Sequence, residues 1–137
     1  MPALFDHERL KAYQSALRFV AWAAPIIEDL SGKLAAKDQL DRASTSILLN
    51  LAEGNGQRSH PNRCRYFDIS RGSGLECAAC LDVLVARGKL PAVTAVEGKS
   101  ILLEVVAMTA GLISQFSEEL REEPATYDLA PLGGDKE

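Results

Sequence analysis

Apolar residues return every three or four positions along most of this chain, and four stretches keep that rhythm long enough to be helices. The first runs from about Asp6 to Leu30, with Leu10, Tyr13, Leu17, Val20, Ala24 and Ile27 on one stripe. Asp6 is the expected N-cap, although Arg9 stands where a capping box would place Glu. Pro25 lacks a backbone donor and is expected to bend the helix, and Ser31-Gly32 to end it. The second helix runs from about Ala35 to Glu53 on Ala36, Leu40, Ala43, Ile47 and Leu51, with Gly54-Asn55-Gly56 as its stop. Ser59-His60-Pro61 restarts the chain: Pro61 suits a first helical position, and Ser59 or His60 is the cap. The third helix extends to about Arg87 with Phe67, Gly74, Cys77, Leu81 and Leu84 in line, and Gly88 closes it. The fourth follows Leu90-Pro91, from about Ala92 to Arg121, and faces inward with Leu102, Val105, Thr109, Leu112 and Phe116. Nothing reads as a strand.

Four helices on short connections, roughly five to eight residues each, predict an all-α fold, an antiparallel up-down-up-down four-helix bundle. The bundle is expected over residues 1–122. Residues 123–137, with two prolines and Gly133-Gly134, are expected to be a disordered C-terminal tail. Two helices are apolar beyond one stripe: the first also carries Phe19, Trp22, Ile26 and Leu30, the fourth Leu103, Ala107 and Ile113. A lone bundle buries about one face per helix, so the surplus predicts a second buried surface and a homo-oligomer.

Composition changes this picture little. At 137 residues, with 47% hydrophobic and 25% charged, the chain is an ordinary globular domain that needs no staples. A net charge of -4 gives no global field toward nucleic acid or membrane, so any such contact must come from a local patch. The opening MPALFDHERLK turns charged at once, unlike a signal peptide. The run ILLEVVAMTAGLISQF, residues 101–116, is interrupted by Glu104 and reads as too short to span a bilayer. No membrane association is expected. With an odd number of cysteines (Cys64, Cys77, Cys80), a reducing cytoplasm is the simplest location.

The polar residues of the second and third helices need a reason. Ser46, Asn50 and Glu53 share one side of the second helix, and Arg65, Ser73 and Glu76 lie close in angle on the third. With antiparallel helices and a turn near residue 57, Glu53 comes within reach of Arg65, and Arg42 within reach of Glu76. Arg42, Ser46, Asn50, Glu53, Arg65, Ser73 and Glu76 are therefore expected to form a structural polar network that sets helix register. No cleft is demonstrated for catalytic carboxylates. Gly72 and Gly74 cost roughly 1 kcal/mol each inside a helix relative to alanine. With Ser73 they make a small-residue patch for close packing, by the second helix or by another subunit.

These residues carry a resemblance. LDRASTSILLNLAEGNGQRS followed by RYFDISRGSGLE resembles the signature of the four-helix-bundle family named for proteins encoded in 23S rRNA intervening sequences. The matching positions are Gln39, Leu40, Arg42, Ala43, Ser46, Ile47, Asn50, Ala52, Glu53, Gly54, Phe67, Gly72, Ser73 and Glu76, within a likeness covering about residues 4–120. Leu51, the Ser70-Arg71 pair and Tyr66 depart from the pattern, which weakens a basic surface more than the fold. The resemblance implies a bundle that assembles into a ring, commonly a pentamer, with no known catalysis. A related branch contains the accessory protein of diversity-generating retroelements, a basic pentameric ring that works with a reverse transcriptase and nucleic acid.

Function is then expected to be non-catalytic assembly, with the chain itself as partner. The alternative is a nucleic-acid-binding accessory protein, contacting RNA or DNA through Arg58, His60, Arg63, Arg65 and Arg71, a patch a ring would repeat. No cofactor or metal is expected. Neither His7 nor His60 follows a Glu at di-metal spacing, and Cys77-Ala-Ala-Cys80 has neither a second pair nor a helix N-terminus to activate it. No Ser and carboxylate are fixed beside His60 to make a triad.

Overall fold

The structure, a computed structural model, describes residues 2–121. Residues 123–137, for which the sequence predicts a disordered tail, lie outside the described residues. A single 3-10 turn, Asp6–Arg9, leads into α1 (Lys11–Asp29), α2 (Ala35–Gly56), α3 (His60–Ala86) and α4 (Ala92–Arg121). No strand occurs among the described residues. Each helix packs on two neighbours: α1 and α3 sit at opposite corners, and each touches both α2 and α4. The topology is the expected all-α up-down-up-down bundle.

Local chemistry explains the helix ends. The Glu8 carboxylate accepts from the backbone N–H of Leu4 at 2.6 Å and of Phe5 at 3.3 Å, and these two donors hold its carboxyl below the usual range. Asp6, the expected cap, instead accepts from Asn55 at the end of α2 at 2.9 Å. Ser59 caps α3, its Oγ accepting from the Asn62 N–H at 3.3 Å. Gly88, with φ of 71°, ends α3 in the left-handed region. There Lys89 N–H bonds Leu84 O at 2.8 Å and Gly88 N–H bonds Val85 O at 2.9 Å, closing a Schellman motif.

Three helices turn the predicted stripe inward. Ala36, Leu40, Ala43, Ile47 and Leu51 of α2 are buried, as are Phe67, Gly74, Cys77, Leu81 and Leu84 of α3 and Leu102, Val105 and Thr109 of α4. Helix α1 is the exception. Its buried face is Ala12, Ser15, Ala16, Phe19 and Ala23, backed by Trp22 and Ile26, while Leu17 and Ala24 of the predicted stripe are exposed. The inward face is turned about a third of a revolution from the predicted one. Large side chains drew the periodicity reading toward Leu17, but close helix packing selects the small Ala12, Ala16 and Ala23. The supposed surplus at Phe19 and Leu30 is therefore core, and α1's own leftover apolar side is the Leu17 side.

Close approach also corrects the reading of Gly54. Helix α2 does not stop there but runs through to Gly56. A Cβ at Gly54 would lie 2.8 Å from the Phe67 ring and 3.0 Å from Tyr66 Cβ, so α2 and α3 meet across its bare backbone. At Gly98 a Cβ would run into the Trp22 ring and lie 3.0 Å from Leu81, so α4 admits side chains of α1 and α3.

Helix α4 corrects a second expectation. Over Ala92–Ser117 it is long and apolar enough, by length and composition, to cross a membrane. Here its inner face is core, and its charges reach neighbours: Glu104 meets Arg18 at 2.6 Å, and Lys99 meets Asp82 at 2.6 Å.

Gly98→Ala is expected to lower unfolding stability by about 1–3 kcal/mol through overpacking against Trp22. Gly111, exposed in the same helix with open space where its Cβ would stand, is the contrast. Gly111→Ala should leave stability unchanged or raise it by about 0.5–1 kcal/mol. Urea titrations of both variants check the pair.

Candidate functional site

The polar residues of α2 and α3 meet along one seam, on the outer side of the two helices. Ser46 Oγ and Ser73 Oγ are 2.8 Å apart across it. Asn50 Nδ2 donates to Ser46 O at 2.9 Å and to Ser46 Oγ at 3.0 Å, so three predicted network members form one hydrogen-bonded hub. Deeper in, the Ser70 hydroxyl donates to Ile47 O at 2.9 Å and is fully buried. Ser70 was not among the candidates. Its position three residues before Ser73, on the same side of α3, was the available signal.

The four charged members do not join the hub. Arg42 Nε lies 3.3 Å from Asp38 Oδ2, one turn back on its own helix, instead of pairing with Glu76. Arg65 lies over the Tyr66 ring, 5.5 Å from its centroid, instead of pairing with Glu53. Neither Glu53 nor Glu76 has an ion-pair partner among the described residues. All four are exposed, where water competes for the charge and a local i,i+4 partner costs less side-chain entropy than a distant one. The hydrogen bonds across this seam are made by the uncharged groups.

The glycine patch divides as well. A Cβ at Gly74 would meet Val106 of α4 at 3.1 Å, whereas Gly72 faces open space. The expected close packing is thus found at Gly74, tightest toward α4, with Ile47 of α2 in ordinary contact at 4.0 Å.

The arginine candidates gather mainly at the end of the bundle where α2 turns into α3 and α4 finishes. Arg63 stacks on the Phe116 ring of α4, 5.0 Å from its centroid, and the His60 ring lies 5.0 Å from the same ring. Cys64 Sγ approaches Ile113 O at 3.7 Å and Ser117 Oγ at 3.6 Å, tying α3 to the last turns of α4. Arg58 is exposed on the connecting turn. Arg65 departs about 200° around the helix from Arg63. Arg71 is two turns further along, beside Asp68, whose carboxyl burial pushes up while Arg71 opposes the shift. The five residues are therefore one end cluster, Arg58, His60 and Arg63, with Arg65 and Arg71 on separate flanks.

The Cys77–Cys80 pair is buried in mid-helix. Burial, with smaller contributions from Cys80 and Glu76, pushes the Cys77 thiol up to about 12, and burial likewise raises Cys80. A thiol held that high is almost wholly protonated near neutral pH and is a poor nucleophile or metal ligand. Among the described residues no three His, Cys, Asp or Glu side chains cluster as a metal site would require.

The model of the 23S rRNA-intervening sequence protein family matches residues 8–111, which takes in the seam, the turn and most of α4. The chain belongs to that family. Its fold is shared by a crystal structure of a protein of unknown function from the S23 ribosomal protein family of Bacteroides thetaiotaomicron. That structure superposes with a TM-score of 0.71 at 16% identity, over 75% of this chain and 95% of the other. No curated protein matches the sequence. In this family member the signature residues thus do two jobs. Gly54, Ser46, Asn50 and Ser73 join α2 to α3, and the charged positions between them stand in solvent.

Two measurements check this division. Ser73→Ala should cost about 1 kcal/mol of stability by removing the inter-helix hydroxyl pair. Arg42→Ala should stay within about 0.5 kcal/mol of the parent. At mildly alkaline pH, Cys77 and Cys80 should resist alkylation in the folded chain and react fully after denaturation, read by mass spectrometry.

Proposed function

We propose that this member of the family is a non-catalytic protein that works by self-assembly, with the outer face of α4 and the adjoining edge of α3 as its contact surface. The observation that carries this reading is the exposure of large apolar side chains there: Val93, Val96 and Leu103 of α4 at 71%, 61% and 71%, with Leu75 of α3 at 49%. Leu75, Leu103, Leu102, Ala78 and Val106 line one shallow apolar groove between the two helices. A second apolar stripe on a helix is a candidate contact surface, and the single bundle covers only the inner face of α4. The ring of five implied by the resemblance fits this role, as does a cytoplasmic location for three cysteines with no disulfide.

A second reading, nucleic-acid binding, is supported by Arg58, His60 and Arg63 at one end of the bundle, where a ring would repeat them.

Light scattering on the eluting protein across a dilution series tests the assembly. A mass of several chains is expected for the parent. Leu103→Asp should weaken association by about tenfold or more. Leu49→Asp, on the exposed side of the diagonally placed α2, should leave the mass unchanged. A parent chain that stays single at every concentration defeats the proposal.

A further inference from the structure

Helix α4 carries one spacing twice. On its inner side the buried residues Ala95, Gly98, Leu102, Val105 and Thr109 follow in alternating steps of three and four, and α1 and α3 pack against that side. On the opposite side Val93, Val96, Ser100, Leu103, Ala107 and Ala110 follow in the same steps, and the series carries on to Ser114. All of these outer residues are exposed and none is charged. Their spacing is that of the a and d positions of a coiled coil, kept over about 32 Å of the helix axis. A solvated face does not need it: the exposed side of α2 carries Asp38, Asp41, Arg42 and Glu53. The positions beside the series are not alike. With Val93, Ser100, Ala107 and Ser114 at a, Glu97 and Glu104 fall at e and Lys99 at g. In a parallel pair a g residue lies beside the e residue five positions on in the other helix, which sets Lys99 beside Glu104 of the partner subunit. An antiparallel pair brings e beside e, and so sets glutamates against glutamates. Within their own chain Lys99 meets Asp82 and Glu104 meets Arg18, but both side chains stay about half exposed and can be shared.

We propose that copies of this chain pack α4 against α4, parallel and in register about one rotational axis, with the Val93–Ser114 series as the seam and Lys99 reaching Glu104 of the partner subunit. The occupant is a second copy because the face is complementary to itself in charge and in shape. In register, Leu103 meets its own counterpart, and the small Ser100, Ala107, Ala110 and Ser114 let the two backbones come close. Rotation about an axis along α4 closes with any number of copies, the ring of five included. The proposal rests on the self-assembly reading and adds the direction and register of the contact.

The test places single cysteines in the full chain carrying Cys64→Ser, since Cys77 and Cys80 are buried. Val93→Cys and Ser114→Cys mark the two ends of the seam, and Leu49→Cys on α2 is the control. Each variant is treated with a short bismaleimide, the linked chains are counted on a denaturing gel, and light scattering gives the mass of the same sample. Val93→Cys and Ser114→Cys should each link to themselves, Leu49→Cys should not, and dilution to single chains should erase the linked bands. Ala107→Asp, exposed in the single chain and so harmless to its fold, should weaken association by about tenfold or more. Linking found only in a mixture of Val93→Cys with Ser114→Cys overturns the direction. Linking at one end alone overturns the register. An assembled mass with no linking above the Leu49→Cys control, or one unmoved by Ala107→Asp, overturns the seam and leaves the self-assembly reading standing. A chain that stays single at every concentration defeats both.

Discussion

Bare backbone at three glycines sets how far apart the helices of this bundle stand. Gly54 lies against the Phe67 ring, Gly74 against Val106, and Gly98 against Trp22 and Leu81. Each lies inside a helix, where glycine costs about 1 kcal/mol relative to alanine. The cost is offset because a ring or branched side chain fills the volume a methyl would take, and interiors tolerate little misfit. Much else depends on these contacts. Phe67 seated on Gly54 holds α3 close to α2, which lets Ser46 and Ser73 reach each other at 2.8 Å. Trp22 seated on Gly98 holds α1 to α4, near the Arg18–Glu104 pair.

That spacing explains why a seam crowded with polar residues does structural work. The groups at its centre are uncharged, short and hydrogen-bonded, so burying them costs little. The charged groups around it stand in solvent and pair locally or with an aromatic face. A substrate pocket would need the opposite arrangement, with ionisable groups turned into a dry cleft and their proton affinities displaced. The displaced groups here are Glu8, held low by two backbone donors, Asp68, raised by burial, and the mid-helix thiols Cys77 and Cys80, which burial shifts away from reactivity.

What the bundle leaves uncovered is as informative as what it covers. The outer side of α4 carries exposed Val93, Val96 and Leu103, and the end where α2 turns into α3 carries Arg58 and Arg63. Apolar area is non-directional and suits a broad contact between copies. A charged end is sensitive to salt and to competing anions, and suits a contact that can be exchanged.

The chain alone determined the helix count, the inward stripes of α2, α3 and α4, a cap at Ser59 or His60, the stop at Gly88, and membership of a recognisable signature. Each depends on spacing along one helix or on the chemistry of a few adjacent residues. The tertiary structure alone decided which side of α1 faces inward, that Gly54 is a packing site within a continuing helix, and that Arg42 and Arg65 turn away from Glu76 and Glu53. Those outcomes depend on how closely neighbouring backbones approach and on whether water reaches a charge. Periodicity records which faces of a helix are apolar, but an apolar face on α1 had two solutions. Only the volume left between α2 and α4 selected the one lined with alanine.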